Sequence, residues 1–203
     1  MTLRPHWRED PCVVGAVAWR LQAAAAAGLS EQLERVRYEW SAADGVPVTS
    51  GRLHFRPGSE QEFLTVFEQA ATGTLDVATR RALAVMSPPA QARDDYDFYL
   101  DCPGERDWWR IATTPDGAPV GFVVPSATPY HRNVGYLGVL PNHRGRGLVD
   151  DLLVEITRFH AGQGADRITA TTDVVNTPMA HAFERAGYRV TENRLVLGGP
   201  GAP

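Results

Sequence analysis

The residues best suited to chemistry in this chain form the run Pro141-Asn142-His143-Arg144-Gly145-Arg146-Gly147-Leu148-Val149. Leu148, Leu152, Ile156 and Phe159 follow in helical register, so the glycines stand where a helix begins. The first N–H groups of a helix have no partner inside it and lie at the positive end of its dipole. Glycines there let a pyrophosphate-like anion approach the backbone with no Cβ in the way, and Arg144 and Arg146 add charge. Two familiar phosphate loops are excluded, because no lysine followed by Ser or Thr comes after the glycines and no third glycine stands at dinucleotide-fold spacing. Taken alone, the same residues also describe an ordinary turn with solvated arginines.

The surrounding elements give this run its context. Upstream, the pattern predicts strands over Trp108–Thr113, Val120–Val124 and Val134–Leu140, with a Pro115-Asp116-Gly117 turn, as an antiparallel meander. Downstream it alternates: a helix over Gly145–Ala161, a strand over Arg167–Thr172, a helix over Pro178–Ala186, then short strands at Tyr188–Val190 and Arg194–Leu197. Pro178 suits a first helical turn and Gly187 a left-handed C-cap. Before the meander, a strand at Leu53–Arg56 precedes Ser59-Glu60-Gln61-Glu62, a capping box that opens a helix with Phe63, Phe67 and Ala70 on one face. A second helix over Val77–Met86 is expected to stop at Ser87-Pro88-Pro89, leaving Asp94–Tyr99 as an acidic, aromatic loop. Residues 1–50 read as a small strand-helix-strand appendage, in which Val36, Tyr38 and Trp40 alternate toward a core.

Bulk properties narrow the function classes. The 203 residues carry 20 Lys+Arg against 24 Asp+Glu, a net charge of -4, so nothing draws the chain to nucleic acid or an anionic membrane, and any anion must be held locally. Cys12 and Cys102 lack metal-ligand spacing, which argues against a metal site and fits a reducing, cytoplasmic setting. The run from Val13 to Ala27 is broken by Arg20 and Gln22, so neither a secretory segment nor a membrane span is expected.

The stretch from Trp108 to Leu197 resembles the GNAT acetyltransferase superfamily, and less distinctly so back to Leu53. The matching residues are Arg144, Gly147 and Val149 in the pattern Arg/Gln-x-x-Gly-x-Gly/Ala, the preceding Val139-Leu140-Pro141, Asn176 ahead of Met179-Ala180, and the closing Phe183-Glu184-Arg185-Ala186-Gly187-Tyr188. Val149 departs from the small residue that the family prefers. The resemblance implies an α/β (α+β) fold with a mixed, mostly antiparallel central sheet, a splayed parallel strand pair and flanking helices. That domain is expected over residues 51–198, with the N-terminal appendage before it and a flexible tail at 199–203. It further implies acetyl-CoA as cosubstrate without a metal, a small-molecule or peptide amine as acceptor, and a homodimer as one arrangement open to the chain.

In such folds the pantetheine arm lies between the two parting strands, here Val134–Leu140 and Arg167–Thr172. The expected cofactor-binding set is Leu137, Val139, Arg144, Gly145, Arg146, Gly147, Leu148, Val149, Asn176 and Phe183. The backbone of Val139 would pair with pantetheine and meet the developing oxyanion, and Asn176 either bonds the arm or is a turn residue at a helix start.

Proton transfer is the weak point of the match. Many relatives carry a tyrosine acid where Phe183 stands, and Phe183 reads as core beside Met179 and Ala186. Tyr188 lies beyond the helix end and does not replace it. Relatives also place a carboxylate where Gly135 stands. Three substitutes remain as catalytic candidates: Asp173 at a strand end, Tyr136, which alternates away from Leu137 and Val139, and His131 just before the strand. The competing expectation is a domain that binds CoA as a sensing module without catalysing transfer.

Overall fold

A computed structural model describes residues 1–199. Eight strands form one sheet: β1 (Thr2–Leu3), β2 (Glu31–Ser41), β3 (His54–Arg56), β4 (Arg110–Thr113), β5 (Pro119–Ala127), β6 (Arg132–Val139), β7 (Arg167–Asp173) and β8 (Arg189–Gly198). Their spatial order is β1-β8-β2-β7-β6-β5-β4-β3. Every neighbouring pair is antiparallel except β6 and β7. Six helices flank the sheet: α1 (Pro11–Ala26), α2 (Glu60–Ala71), α3 (Val77–Leu83), α4 (Pro88–Asp101), α5 (Leu148–Gly162) and α6 (Thr177–Arg185). The mixed, mostly antiparallel sheet with its parallel pair is the architecture that the family resemblance implies.

Two apolar cores follow from strand alternation. On one face, Leu152, Leu153 and Ile156 of α5 and Phe183 of α6 bury against Tyr38, Trp40, Val134, Ile168 and Ala170. On the other, Phe63 and Phe67 of α2 and Tyr96 of α4 bury against Trp109, Ile111 and Phe122. The capping box at α2 forms as expected, with the Ser59 hydroxyl taking the Glu62 N–H and the Glu62 carboxylate taking the Ser59 N–H.

Three expectations give way. Residues 31–41, read as part of an appendage, supply β2, which lies inside the sheet between β7 and β8. Val36, Tyr38 and Trp40 do face a core, but their partners are far along the chain, with Tyr38 opposite Ala170 and Val190. Of the N-terminal tract, α1 stays outside, burying Val17 and leaving Trp19 68% exposed.

The acidic stretch Asp94–Tyr99 is helical, because Pro88 and Pro89 start α4 instead of ending α3. Proline lacks an N–H that the first turn would leave unpaired anyway, so Pro-Pro suits a helix start as well as a stop. The two short strands expected after Gly187 are one strand, β8, with a register shift that leaves Thr191 between Val190 and Glu192. Gly187 does take the left-handed conformation, at φ 83°. The tail expected at 199–203 lies, from residue 200 on, outside the described residues. No described helix is long and apolar enough to cross a membrane.

Candidate active site

The parallel pair is hydrogen-bonded over a short stretch only. Arg132 pairs with Ile168 and Asn133 with Thr169, and beyond them β6 and β7 part. Gly135 stands at the start of the gap with φ +70°, beside a register shift against β5 between Val124 and Ser126. A Cβ on Gly135 would meet the Val124 carbonyl oxygen at 2.1 Å, so the carboxylate that relatives carry at this position has no room in this backbone.

Past the bulge, strand geometry aims the backbone into the gap. The Leu140 N–H donates to the Val120 carbonyl on β5. By alternation the N–H and C=O groups of Val139 and Leu137 point the other way, toward β7. Their side chains pack against the α5 and α6 core.

A short 3-10 turn at Pro141–His143 then leads into the glycine turn. Gly145 and Gly147 have φ +75° and +70°, and Gly147 is the N-cap of α5 without a side-chain cap bond. A Cβ at Gly145 would touch nothing within 4 Å. The first N–H groups of α5 therefore face open space, with the branched side chain of Val149 and that of Leu148 turned into the core. The turn is braced from behind, where Arg52 donates to the Arg146 carbonyl at 3.2 Å and the Gly147 carbonyl at 3.1 Å and pairs with Asp151. Arg52 and Asp151 escape sequence reading because they brace the glycine turn without belonging to its motif.

Arg144 behaves differently from the expectation that it adds charge to the anion site. Its guanidinium donates to the carbonyls of Ala70 at 2.6 Å, Thr72 at 2.7 Å, Gly73 at 3.2 Å and Val139 at 3.0 Å. It thus closes the C-terminal end of α2, whose last carbonyls have no helical partner, and ties that end to β6. Arg144→Ala is expected to lower the unfolding free energy by about 2 kcal/mol in a urea titration, since several charge-assisted bonds are lost at a partly solvated site.

The remaining expected residues separate clearly. Asn176 is the N-cap of α6, with its Oδ1 taking the Met179 N–H at 3.4 Å. Phe183 is 2% exposed and stacks on Tyr38 with ring centroids 4.8 Å apart, a core role. The Tyr188 hydroxyl is buried against the Thr157 hydroxyl at 2.8 Å.

His131 is clamped. Its Nε2 lies 2.7 Å from an Arg37 nitrogen, which can only donate, so Nε2 accepts and Nδ1–H faces the Thr128 hydroxyl at 2.6 Å. Burial, together with Arg37 and Arg167, holds its pKa below the usual histidine value. Its basic lone pair is already in use.

Asp173 is 1% exposed. One carboxylate oxygen takes the Val77 N–H at 2.7 Å at the start of α3, and the other lies 3.1 Å from the Arg35 Nε on β2. Burial pushes its pKa up, and nearby Asp76 adds to that. Tyr136 points to the α2 and α4 side of the sheet, boxed by Phe67, Phe122 and Tyr99. Burial raises its pKa well above the usual tyrosine value, and its hydroxyl has no hydrogen-bond partner among the described residues. No group of three or more potential metal ligands occurs among the described residues.

A parallel pair that parts ahead of a glycine turn at a helix start is the arrangement that the resemblance implies. The model of the acetyltransferase (GNAT) family matches residues 77–188, more than half of the chain. The chain belongs to that family.

A curated relative, the mycothiol acetyltransferase of Corynebacterium aurimucosum, is 32% identical over 69 residues, which is 34% of this chain and 23% of the relative. Among solved structures, a GCN5-related N-acetyltransferase from Sphaerobacter thermophilus aligns over 90% of this chain and 57% of its own, at 17% identity and a TM-score of 0.59. A GNAT-family acetyltransferase from Colwellia psychrerythraea aligns over 89% of this chain and 61% of its own, at 14% identity and a TM-score of 0.59. At these identities the two structures speak for the fold. The chain spans less than two thirds of the length of each of these relatives.

Proposed function

We propose that the chain is an N-acetyltransferase that moves the acetyl group of acetyl-CoA to a primary amine by direct attack. One observation carries the reading: β6 and β7 part after Asn133 and Thr169, and the freed strand runs into the open N-terminus of α5. In this reading the N–H groups of Gly145, Arg146, Gly147, Leu148 and Val149 hold the pyrophosphate, and the inward backbone of Leu137 together with the Val139 N–H, whose own carbonyl is taken by Arg144, pairs with the pantetheine arm. In the same reading the side-chain nitrogen of Asn176, which makes no hydrogen bond among the described residues, donates to the pantetheine arm.

Acetyl-CoA supplies a thioester carbonyl. The amine nitrogen bonds its carbon, the carbon–sulfur bond breaks, the nitrogen gives up a proton and the sulfur takes one. The Val139 N–H, aimed into the gap, donates to the carbonyl oxygen as negative charge grows there. Asp173 receives the proton from nitrogen. A carboxylate has about four lone-pair sites; the Val77 N–H takes one, and Arg35 faces the other oxygen as an ion pair without a hydrogen bond. Burial that raises its pKa makes it a better base. Tyr136, whose hydroxyl makes no hydrogen bond in the fold, donates a hydrogen bond to the departing sulfur; burial raises its pKa and so makes it a weak acid, and the thiolate takes its proton from water. His131 is left out because Arg37 occupies its lone pair.

Purified protein mixed with acetyl-CoA should release CoA thiol only when a suitable amine is added. A broad amine panel without turnover, together with no acetyl-CoA binding by calorimetry, would end this reading. Tyr136→Phe is expected to lower kcat about 10- to 100-fold with acetyl-CoA affinity unchanged. Its thermal midpoint should hardly move, because the lost hydroxyl bonds nothing in the fold.

A further inference from the structure

The polar side chains of α4 beside Tyr136 are unevenly matched. Gln91, Asp95 and Tyr99 succeed one another at single-turn spacing along one face of the helix. The Tyr99 ring stacks on Tyr136 with centroids 5.0 Å apart and planes 10° from parallel. The Gln91 side chain is 2% exposed and its amide head is turned onto Asp95, donating from Nε2 to Oδ2 at 2.6 Å. Its carbonyl oxygen, Oε1, is buried with no partner. Leaving such an acceptor unpaired is costly, and native proteins rarely do so without a ligand or water in its place.

The charges are just as unbalanced. Asp95 forms no ion pair among the described residues, and burial first, then Asp76 and Asp94, push its pKa up to about 6. Asp76 caps α3 through the Thr79 N–H at 2.7 Å. Two cations reach this group of side chains: Arg35 on β2, which is paired with Asp173, and Arg144, whose guanidinium donors are bound to the carbonyls of Ala70, Thr72, Gly73 and Val139. The hydroxyls of Tyr99 and Tyr136 add two more oxygens without described partners. The cluster thus offers an unused carboxamide oxygen, an uncompensated carboxylate and two electron-rich ring systems. What it lacks is a positive hydrogen-bond donor.

We propose that Gln91, Asp95 and the Tyr99–Tyr136 ring pair bind a protonated amine of the acceptor, so that the preferred acceptors carry a second basic nitrogen besides the one acylated. The proposal rests on the N-acetyltransferase reading of the adjacent gap. The two nitrogens must be distinct, because an attacking amine has to be neutral whereas a carboxylate and a carbonyl oxygen hold the ammonium form. Tyr136 connects the two regions, as it is next in sequence to Leu137, whose backbone faces the gap.

Two independent readouts test this on the full chain. In calorimetry, cadaverine should bind the native protein and lose at least about tenfold in affinity in Asp95→Asn, an isosteric change that removes only the charge. The same affinity should fall as pH drops through about 6, where Asp95 takes up a proton. In acyl transfer from acetyl-CoA, cadaverine should outperform pentylamine and 5-aminopentanoate, and Asp95→Asn should raise the KM for cadaverine more than it lowers kcat.

Equal cadaverine affinity in the native protein and Asp95→Asn overturns the proposal. So does a preference for 5-aminopentanoate, and either result leaves the acyl-transfer reading intact. Asp95-dependent cadaverine binding without any CoA release supports the amine site while removing the N-acetyltransferase reading.

Discussion

Gly147→Asp is expected to reduce acetyl-CoA affinity by about a hundredfold or more while the protein keeps its native circular dichroism. Gly147 holds φ +70° as the N-cap of α5, a conformation that aspartate tolerates better than most residues, so strain costs about 1 kcal/mol. Space is not limiting, because the nearest atoms to an added Cβ are an Asp150 oxygen at 3.9 Å and an Arg52 nitrogen at 4.0 Å. The new carboxylate is free to take the unpaired N–H groups of the first turn, which would even cap the helix. That is why function fails where folding does not: a resident anion occupies the donors that a pyrophosphate needs and repels it. Gly147→Ala separates the two causes, since it adds the same backbone strain without charge and should cost far less affinity. Calorimetry with acetyl-CoA on both variants makes the comparison. Undiminished binding by folded Gly147→Asp would mean that the pyrophosphate does not lie at this turn.

The glycine turn is legible in sequence because everything it needs is contiguous: two glycines, a helix start and the apolar stripe of α5. The α2 capping box is legible for the same reason. Arg144 is the counterexample inside the same motif. Its carbonyl partners at Ala70, Thr72 and Gly73 lie more than seventy residues upstream, so spacing alone cannot show that its donors are already committed. His131 is similar, because the residue that occupies its lone pair, Arg37, is 94 positions away.

Strand β2 shows the limit for topology. The alternation of Val36, Tyr38 and Trp40 reveals a strand with one buried face, but hydrogen bonding to β7 and β8 is a non-local fact that alternation does not encode. The misreading of α4 has a local cause, since proline forbids a helix interior yet favours a helix start. That one ambiguity hides Gln91 and Asp95, because in a loop they share no face and as helix residues they do. Gly135 reads in sequence as a missing carboxylate, and its structural meaning is a bulge that leaves no space for one.

Acidification from pH 7 to pH 4 is expected to remove about 3 kcal/mol of stability through His160 alone. This histidine is fully buried on α5, with its Nε2 3.0 Å from the Asn133 carbonyl and the Trp108 and Phe159 rings beside it. An imidazole facing a carbonyl donates to it, so Nε2 carries the proton and the buried Nδ1 does not. Burial holds the pKa down at about 4, against 6.5 for a free side chain. The folded protein therefore keeps His160 neutral where the unfolded chain already binds a proton. The unfolded state is favoured progressively as pH falls below about 6.5, and the loss levels off near 4, where the folded form protonates too.

Asp95 acts in the opposite sense. Its folded pKa of about 6 lies above the ordinary carboxylate value, so its contribution is fully present near pH 4 and is lost as pH rises through 6. Its half-buried setting limits that term to about 1 kcal/mol. Histidine should dominate the balance, and His160→Gln, which cannot charge, should flatten the acid slope of the thermal midpoint even though it lowers the midpoint at pH 7. The location gives the effect a functional edge. Asn133 is the last residue of β6 paired to β7 before the strands part, so His160 anchors the closed end of the gap from the α5 side. Acid loss of acetyl-CoA affinity should accordingly set in at milder pH than global unfolding in the native protein, and this early loss should shrink in His160→Gln.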